Sequence, residues 1–128
     1  MIILVDTSTP LALLIVAQGD EHIPYEWQAD RELAHGMLAW LRDSLAQQGG
    51  QFTDIEGIGA FRGPGSFTGL RIGLTVLNTL SDSLGVPIVG AVGDDWQRAA
   101  FGRLSGGEND VIVLPLYDRD ANITKPRK

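Results

Sequence analysis

The sequence predicts an α/β fold: a mixed β-sheet with helices on both faces and elements in the order βββαβαβαβ. Three observations predict it. The chain opens with three strand-like runs separated only by turn-forming clusters, as in an antiparallel meander. From residue 30 onward helical and short apolar segments alternate, which calls for parallel strands joined by right-handed crossovers. A length of 128 residues with 44% hydrophobic and 20% charged side chains suits one core rather than two, so residues 1–128 are expected to form a single domain.

Ile2-Ile3-Leu4-Val5 is largely β-branched and apolar on both faces, as a central covered strand requires. Asp6-Thr7-Ser8-Thr9-Pro10 ends it. Leu11 to Ala17 is a second apolar run, Gln18-Gly19-Asp20-Glu21 supplies a turn, and His22 to Gln28 alternates through Ile23, Tyr25 and Trp27 like a strand with one wet face. Asp30 is the expected N-cap of a helix reaching about Gln48 and stopped by Gly49-Gly50. Its apolar positions Leu33, Ala34, Met37, Leu38, Trp40, Leu41 and Leu45 sweep about 160°, wider than the ~100° stripe needed to face one core. Ile55 to Phe61 reads as a strand, 62–69 as a loop, Leu70 to Leu84 as a helix closed by Gly85, and Val86 to Val92 as another strand. Asp94 or Asp95 is placed to cap a helix to about Gly102, Leu104 to Asp110 a surface loop, and Val111 to Leu116 a last strand.

Composition removes several functions. With no cysteine there is no disulfide framework, thiolate nucleophile or iron–sulfur cluster. The longest apolar run, Leu11 to Ala17, is far short of the ~20 residues of a membrane helix, and no basic start marks a signal peptide, so a cytoplasmic protein without membrane contact is expected. Net charge is −6, and three of the ten cations, Lys125, Arg127 and Lys128, lie in the last four residues. A body this acidic repels nucleic-acid phosphates. Residues 119–128 are expected to be a flexible basic tail. His22 and His35 lie thirteen residues apart on different elements, a spacing that makes no metal pair.

The most informative stretch is Gly63 to Gly73, Gly-Pro-Gly-Ser-Phe-Thr-Gly-Leu-Arg-Ile-Gly, between a predicted strand and a predicted helix. Its glycines permit close approach or unusual backbone angles, and a helix start offers N–H groups to an anion. Candidate nucleotide contacts in this stretch are therefore Gly63, Gly65, Ser66, Thr68 and Gly69. The stretch is not a Walker loop, because no Gly-Lys-Ser/Thr follows, and its spacing misses the dinucleotide pattern by one residue. A tight structural turn is the plainer reading. Ser66 and Thr68 lack the spacing and the placed base of a hydrolase nucleophile.

This segment, with Asp6-Thr7-Ser8-Thr9, His35 early in the first long helix and Gly85-Val86-Pro87-Ile88, resembles the TsaB (YeaZ) family, a non-catalytic subunit of the bacterial tRNA threonylcarbamoyladenosine machinery. The resemblance implies an actin-like, ribonuclease-H-like fold and no cofactor. It also implies a scaffold role: docking on the catalytic TsaD-type paralogue, with a TsaE-type ATPase in the same assembly, homodimerisation as a variant, and tRNA met only through the complex. The family usually has Ser-Glu after its helix-one His, where this chain has Gly36-Met37, and usually continues into a second domain. Pro115-Leu116-Tyr117-Asp118 is similar to the junction before that domain, so a short form keeping the first domain is expected. Asp6, at the end of the first strand, joins the candidate nucleotide contacts only by likeness to actin-like ATPases, where an acidic residue there helps hold a nucleotide-bound metal. In those ATPases a glycine stands two residues after it, and here that place is Ser8, so capping of the turn before Pro10 by Asp6 or Ser8 is the plainer reading. A small actin-like ATPase half-site built on Asp6 and the 63–69 loop is the alternative. For the partner surface, the wide apolar arc and the small residues of the second helix nominate Leu33, Met37, Trp40, Leu41, Leu70, Gly73, Leu74 and Leu77, with Met37 and Trp40 expected to be exposed.

Overall fold

The computed structural model describes residues 1–116; Tyr117-Asp118 and the expected basic tail lie outside the described residues. The strands are β1 (Ile2–Asp6), β2 (Leu11–Gln18), β3 (Glu21–Gln28), β4 (Gly57–Phe61) and β5 (Ile88–Ala91). The helices are α1 (Leu33–Gln47), α2 (Phe67–Leu84) and α3 (Trp96–Ser105). One sheet holds all five strands in the order β3-β2-β1-β4-β5. β1, β2 and β3 form the antiparallel meander, while β4 and β5 run parallel to β1. The apolar alternation sets this register: Leu4 opposes Ile15 and Gly59, Val5 opposes Leu14 and Ala60. Pro24, which has no ladder donor, falls on the edge strand β3, where proline is tolerated.

The two faces of the sheet bury separate clusters. Ile3, Val5, Leu14, Val16, Ile58 and Ile88 face α1 and α2, against Met37, Leu41, Leu45, Leu74 and Leu77. Leu4, Ile15, Val89 and Ala91 face α3, against Trp96, Ala100 and Leu104. Adjacent residues of one strand thus serve opposite layers, as a doubly covered central sheet demands. Each fully buried aliphatic side chain contributes about 1.5–3 kcal/mol.

Four expectations are corrected. Asp30 does not cap α1: it lies in a single 3-10 turn, Asp30–Glu32, at φ 48°, with its carboxylate accepting from the Gln28 side chain, and the α1 N-cap is Glu32. α2 begins at Phe67, earlier than Leu70, because Ser66 is its N-cap and accepts from the Gly69 N–H. α3 runs through Gly102 to Ser105, since burial of Leu104 outweighs the ~1 kcal/mol that a mid-helix glycine costs. Val111–Leu116 is no strand. Its backbone is held largely by side chains: Asn78 brackets the Val113 N–H and carbonyl at 2.9 Å each, and the Arg62 guanidinium donates to the Leu114 carbonyl at 2.8 Å, while the Leu116 N–H donates to the Arg62 carbonyl. Val111 is also at φ 70°, outside the strand region. The expected stops at Gly49 (φ 74°) and Gly85 (φ 69°) are both left-handed, as helix ends favour.

Candidate functional site

Two places answer to the residues singled out by sequence: the loop cluster around Asp6 and the glycine segment, and the outer layer formed by α1 and α2.

In the loop cluster the chain satisfies itself. Asp6 Oδ1 accepts from the Ser8 N–H at 2.8 Å, a local turn of the kind aspartate favours. The Ser8 carbonyl accepts from the Ser66 N–H at 3.1 Å, and Thr7 Oγ1 donates to the Gly69 carbonyl at 2.9 Å, which ties the β1–β2 loop to the start of α2. The glycines make room for that junction. A Cβ on Gly65 would lie 2.6 Å from the Ser8 Cβ, one on Gly69 would overlap the Thr7 carbonyl oxygen, and one on Gly73 would overlap the Thr7 side chain. Gly63 has φ 124° and precedes Pro64 through a cis peptide bond. Gly65 is not at positive φ, so the constraint there is space and not backbone angle.

Thr7 and Ser8, which follow Asp6, are therefore what meet Gly65, Ser66 and Gly69, while Asp6 itself bonds within its own turn. Exposed Ser66 and Thr68, with Thr9, Arg31 and Ile72, line a cleft of about 270 Å³, whereas Gly63 is buried beneath the 111–116 segment. Among the described residues no group of three or more His, Cys, Asp or Glu side chains gathers to hold a metal ion. His35 is exposed on α1, and His22 lies against the Phe101 ring at 5.0 Å, so neither joins the cluster.

The helical layer differs from expectation. Leu33, Met37 and Leu41 of α1, and Leu70, Gly73, Leu74 and Leu77 of α2, are buried in the chain's own core, with Met37 and Leu41 at 0% exposure. The expected exposure of Met37 is thereby overturned. The physical reason is that α1 has three neighbours: the sheet beneath it, α2 beside it, and the Trp27 ring of β3, which stacks on Trp40 at 5.4 Å and leaves that side chain half-buried. Together they cover most of the 160° arc. What stays open is Ala34 and, 52% exposed, Leu38, which lies at the mouth of an apolar groove of about 360 Å³ completed by Phe52, Thr75, Val76, Thr79 and Leu80. Leu38 was visible in the apolar arc. Phe52 and Val76 gave no signal, since only the packing of α1 on α2 shows which positions of each helix line the groove. No described helix is long and apolar enough to cross a membrane.

Comparison with known proteins agrees with this architecture. Residues 26–92 match the family described as TsaD, tRNA N6-adenosine threonylcarbamoyltransferase. The chain is similar to the tRNA threonylcarbamoyladenosine biosynthesis protein TsaB of Escherichia coli K12, 32% identical over 90 residues, which are 70% of this chain and 38% of that protein. It is also similar to TsaB of Bacillus subtilis 168, 42% identical over 65 residues, which are 51% of this chain and 26% of that one. Among solved structures YeaZ from Pseudomonas aeruginosa superimposes with a TM-score of 0.66 and 27% identity, over 71% of this chain and 43% of that chain. The chain thus spans about two-fifths or less of the length of these relatives. The matched segment contains the glycine loop, α1, α2 and the strands between them, and the sheet with helices on both faces is the actin-like arrangement of that fold. The chain belongs to the TsaB (YeaZ) family, within the wider group of the threonylcarbamoyltransferase fold.

Proposed function

We propose that this chain is a non-catalytic docking subunit for the formation of threonylcarbamoyladenosine in tRNA, and that the groove between α1 and α2 is the surface covered by a catalytic threonylcarbamoyltransferase subunit of related fold. The observation that carries this reading is the groove itself: Leu38, Phe52, Val76 and Leu80 present apolar surface on an otherwise strongly acidic chain, on the layer that two helices of a related domain would complete as a four-helix interface. A TsaE-type ATPase belongs to the same assembly, a second copy of this chain can occupy the groove when the paralogue is absent, and tRNA is met through the complex. The chemistry comes from the partner, because among the described residues no histidine lines the cleft that holds Ser66 and Thr68, and Asp6 is spent on its own turn.

The test is association of the purified chain with the catalytic subunit from the same cell. Leu38→Arg and Val76→Arg, which place a charge where a partner would desolvate it, are expected to weaken binding at least about tenfold while circular dichroism stays native. Unchanged affinity in both variants would move the interface off this groove.

The second reading, an ATPase half-site, draws on the 270 Å³ cleft at the start of α2. It requires phosphate to approach a backbone that Ser8 and Thr7 already cover. Micromolar ATP binding by the isolated chain, lost in Asp6→Asn, would favour it over docking.

A further inference from the structure

The sheet ends in two edges, β3 and β5, and each is a row of backbone groups that another strand could extend. β3 carries ordinary protection, with Pro24 in mid-strand and exposed Glu21 and Glu26. β5 is Ile-Val-Gly-Ala, with neither charge nor proline. Its outward groups, those of Ile88 and Gly90, are nevertheless all met. Asn109 Oδ1 accepts from the Ile88 N–H at 3.1 Å, and the Asp110 N–H donates to the Ile88 carbonyl at 2.7 Å. Asp110 Oδ2 accepts from the Gly90 N–H at 2.8 Å, and the Arg103 guanidinium donates to the Gly90 carbonyl at 2.9 Å while also pairing with Asp110. Two amino acids in sequence and one arginine from α3 thus reproduce the hydrogen bonds of a sixth strand, three of them through side chains and one through the Asp110 backbone N–H. The clasp is seated by Val113, 3% exposed, whose N–H and carbonyl are both held by the Asn78 amide.

We propose that Asn109, Asp110 and Arg103 form a guard that closes the β5 edge against strand pairing with a second copy of this chain. A second copy is the matching strand: β5 is uncharged, so nothing opposes its pairing with itself, and Val111, Ile112 and Leu114, each more than 60% exposed, flank the edge and would be buried by such a pairing. The edge needs a device of this kind because its own sequence supplies none.

The experiment compares Asn109→Ala/Asp110→Ala with Asp110→Asn in the full chain. Asparagine keeps an acceptor for the Gly90 N–H, and alanine does not. In the alanine pair the Ile88 and Gly90 amides are expected to exchange at least about tenfold faster while the Leu4 amide of the central strand is unchanged, and sedimentation should show self-association beyond that of the parent that grows with concentration. Asp110→Asn should leave the Gly90 amide close to the parent and add no association. Ile88 and Gly90 amides as slow as in the parent, or faster exchange without added association, would overturn the proposal. If the double variant fails to fold, Asn109→Ala alone is read at the Ile88 amide and by sedimentation against the same two outcomes.

Discussion

Thr7 shows at the scale of one residue why the glycine segment is composed as it is. It is 4% exposed, its hydroxyl reaches the Gly69 carbonyl, and its side chain fills the space that a Cβ on Gly73 would need. Gly73→Ala is therefore expected to lower stability by about 1–3 kcal/mol, read as a lower urea midpoint, and Thr7→Ala in the same chain should recover part of the loss. Asp110 gives a pH dependence. Hydrogen bonds from Arg103 hold its carboxyl below the ordinary value of 3.8, helped by the Gly90 N–H and opposed by partial burial. Since the folded pKa lies below the unfolded one, the stabilisation is fully present above about pH 4 and is lost as pH falls through the lowered folded value. The melting temperatures of the parent and Asp110→Asn should differ at pH 7 and converge on acidification; a constant difference would place the effect elsewhere. Gly36 is set by space at the same scale. A Cβ there would come within 2.8 Å of the Trp27 ring, so the glycine lets β3 lay its indole against α1.

Single elements mark the boundary between what was legible in the chain and what was not. β1 to β4 were readable because a doubly covered strand is a continuous apolar run and a half-wet one alternates, and both patterns are local. The start of α2 was missed by three residues, since Ser66 becomes a cap only when its hydroxyl turns to Gly69. The 111–116 segment has the composition of a strand, but Asn78 and Arg62, remote in sequence, already hold its backbone. In the candidate site, the turn at Asp6 was legible from residue type alone, whereas the tie of Thr7 and Ser8 to the 65–69 loop was not, because it joins residues about sixty positions apart. The sides of α1 were not, because Met37 and Leu38 both belong to the apolar arc while only one is covered. Their substitution separates the two roles. Met37→Arg, with no exposed surface to relax into, is expected to destabilise the fold by more than about 3 kcal/mol in chemical denaturation, and Leu38→Arg by less than about 1 kcal/mol. Similar losses in both would mean that the groove is closed in solution.

For the molecule as a whole, one sheet is shared by two hydrophobic layers that, among the described residues, have no side chain in common and meet through the backbone of strands whose neighbouring residues point opposite ways. The tryptophans are divided in the same manner: Trp27 and Trp40 pack with the α1–α2 layer, and Trp96 is buried in the α3 layer. Intrinsic fluorescence can thus watch each layer separately. Trp96→Phe leaves emission from the first layer alone, and Trp27→Phe/Trp40→Phe leaves emission from the second. If the shared backbone makes the domain one cooperative unit, the fluorescence transition of each variant coincides with its own far-ultraviolet circular dichroism transition. Should the α3 signal change first, that layer would be a separate, weaker foldon, able to open while the α1–α2 layer keeps its shape.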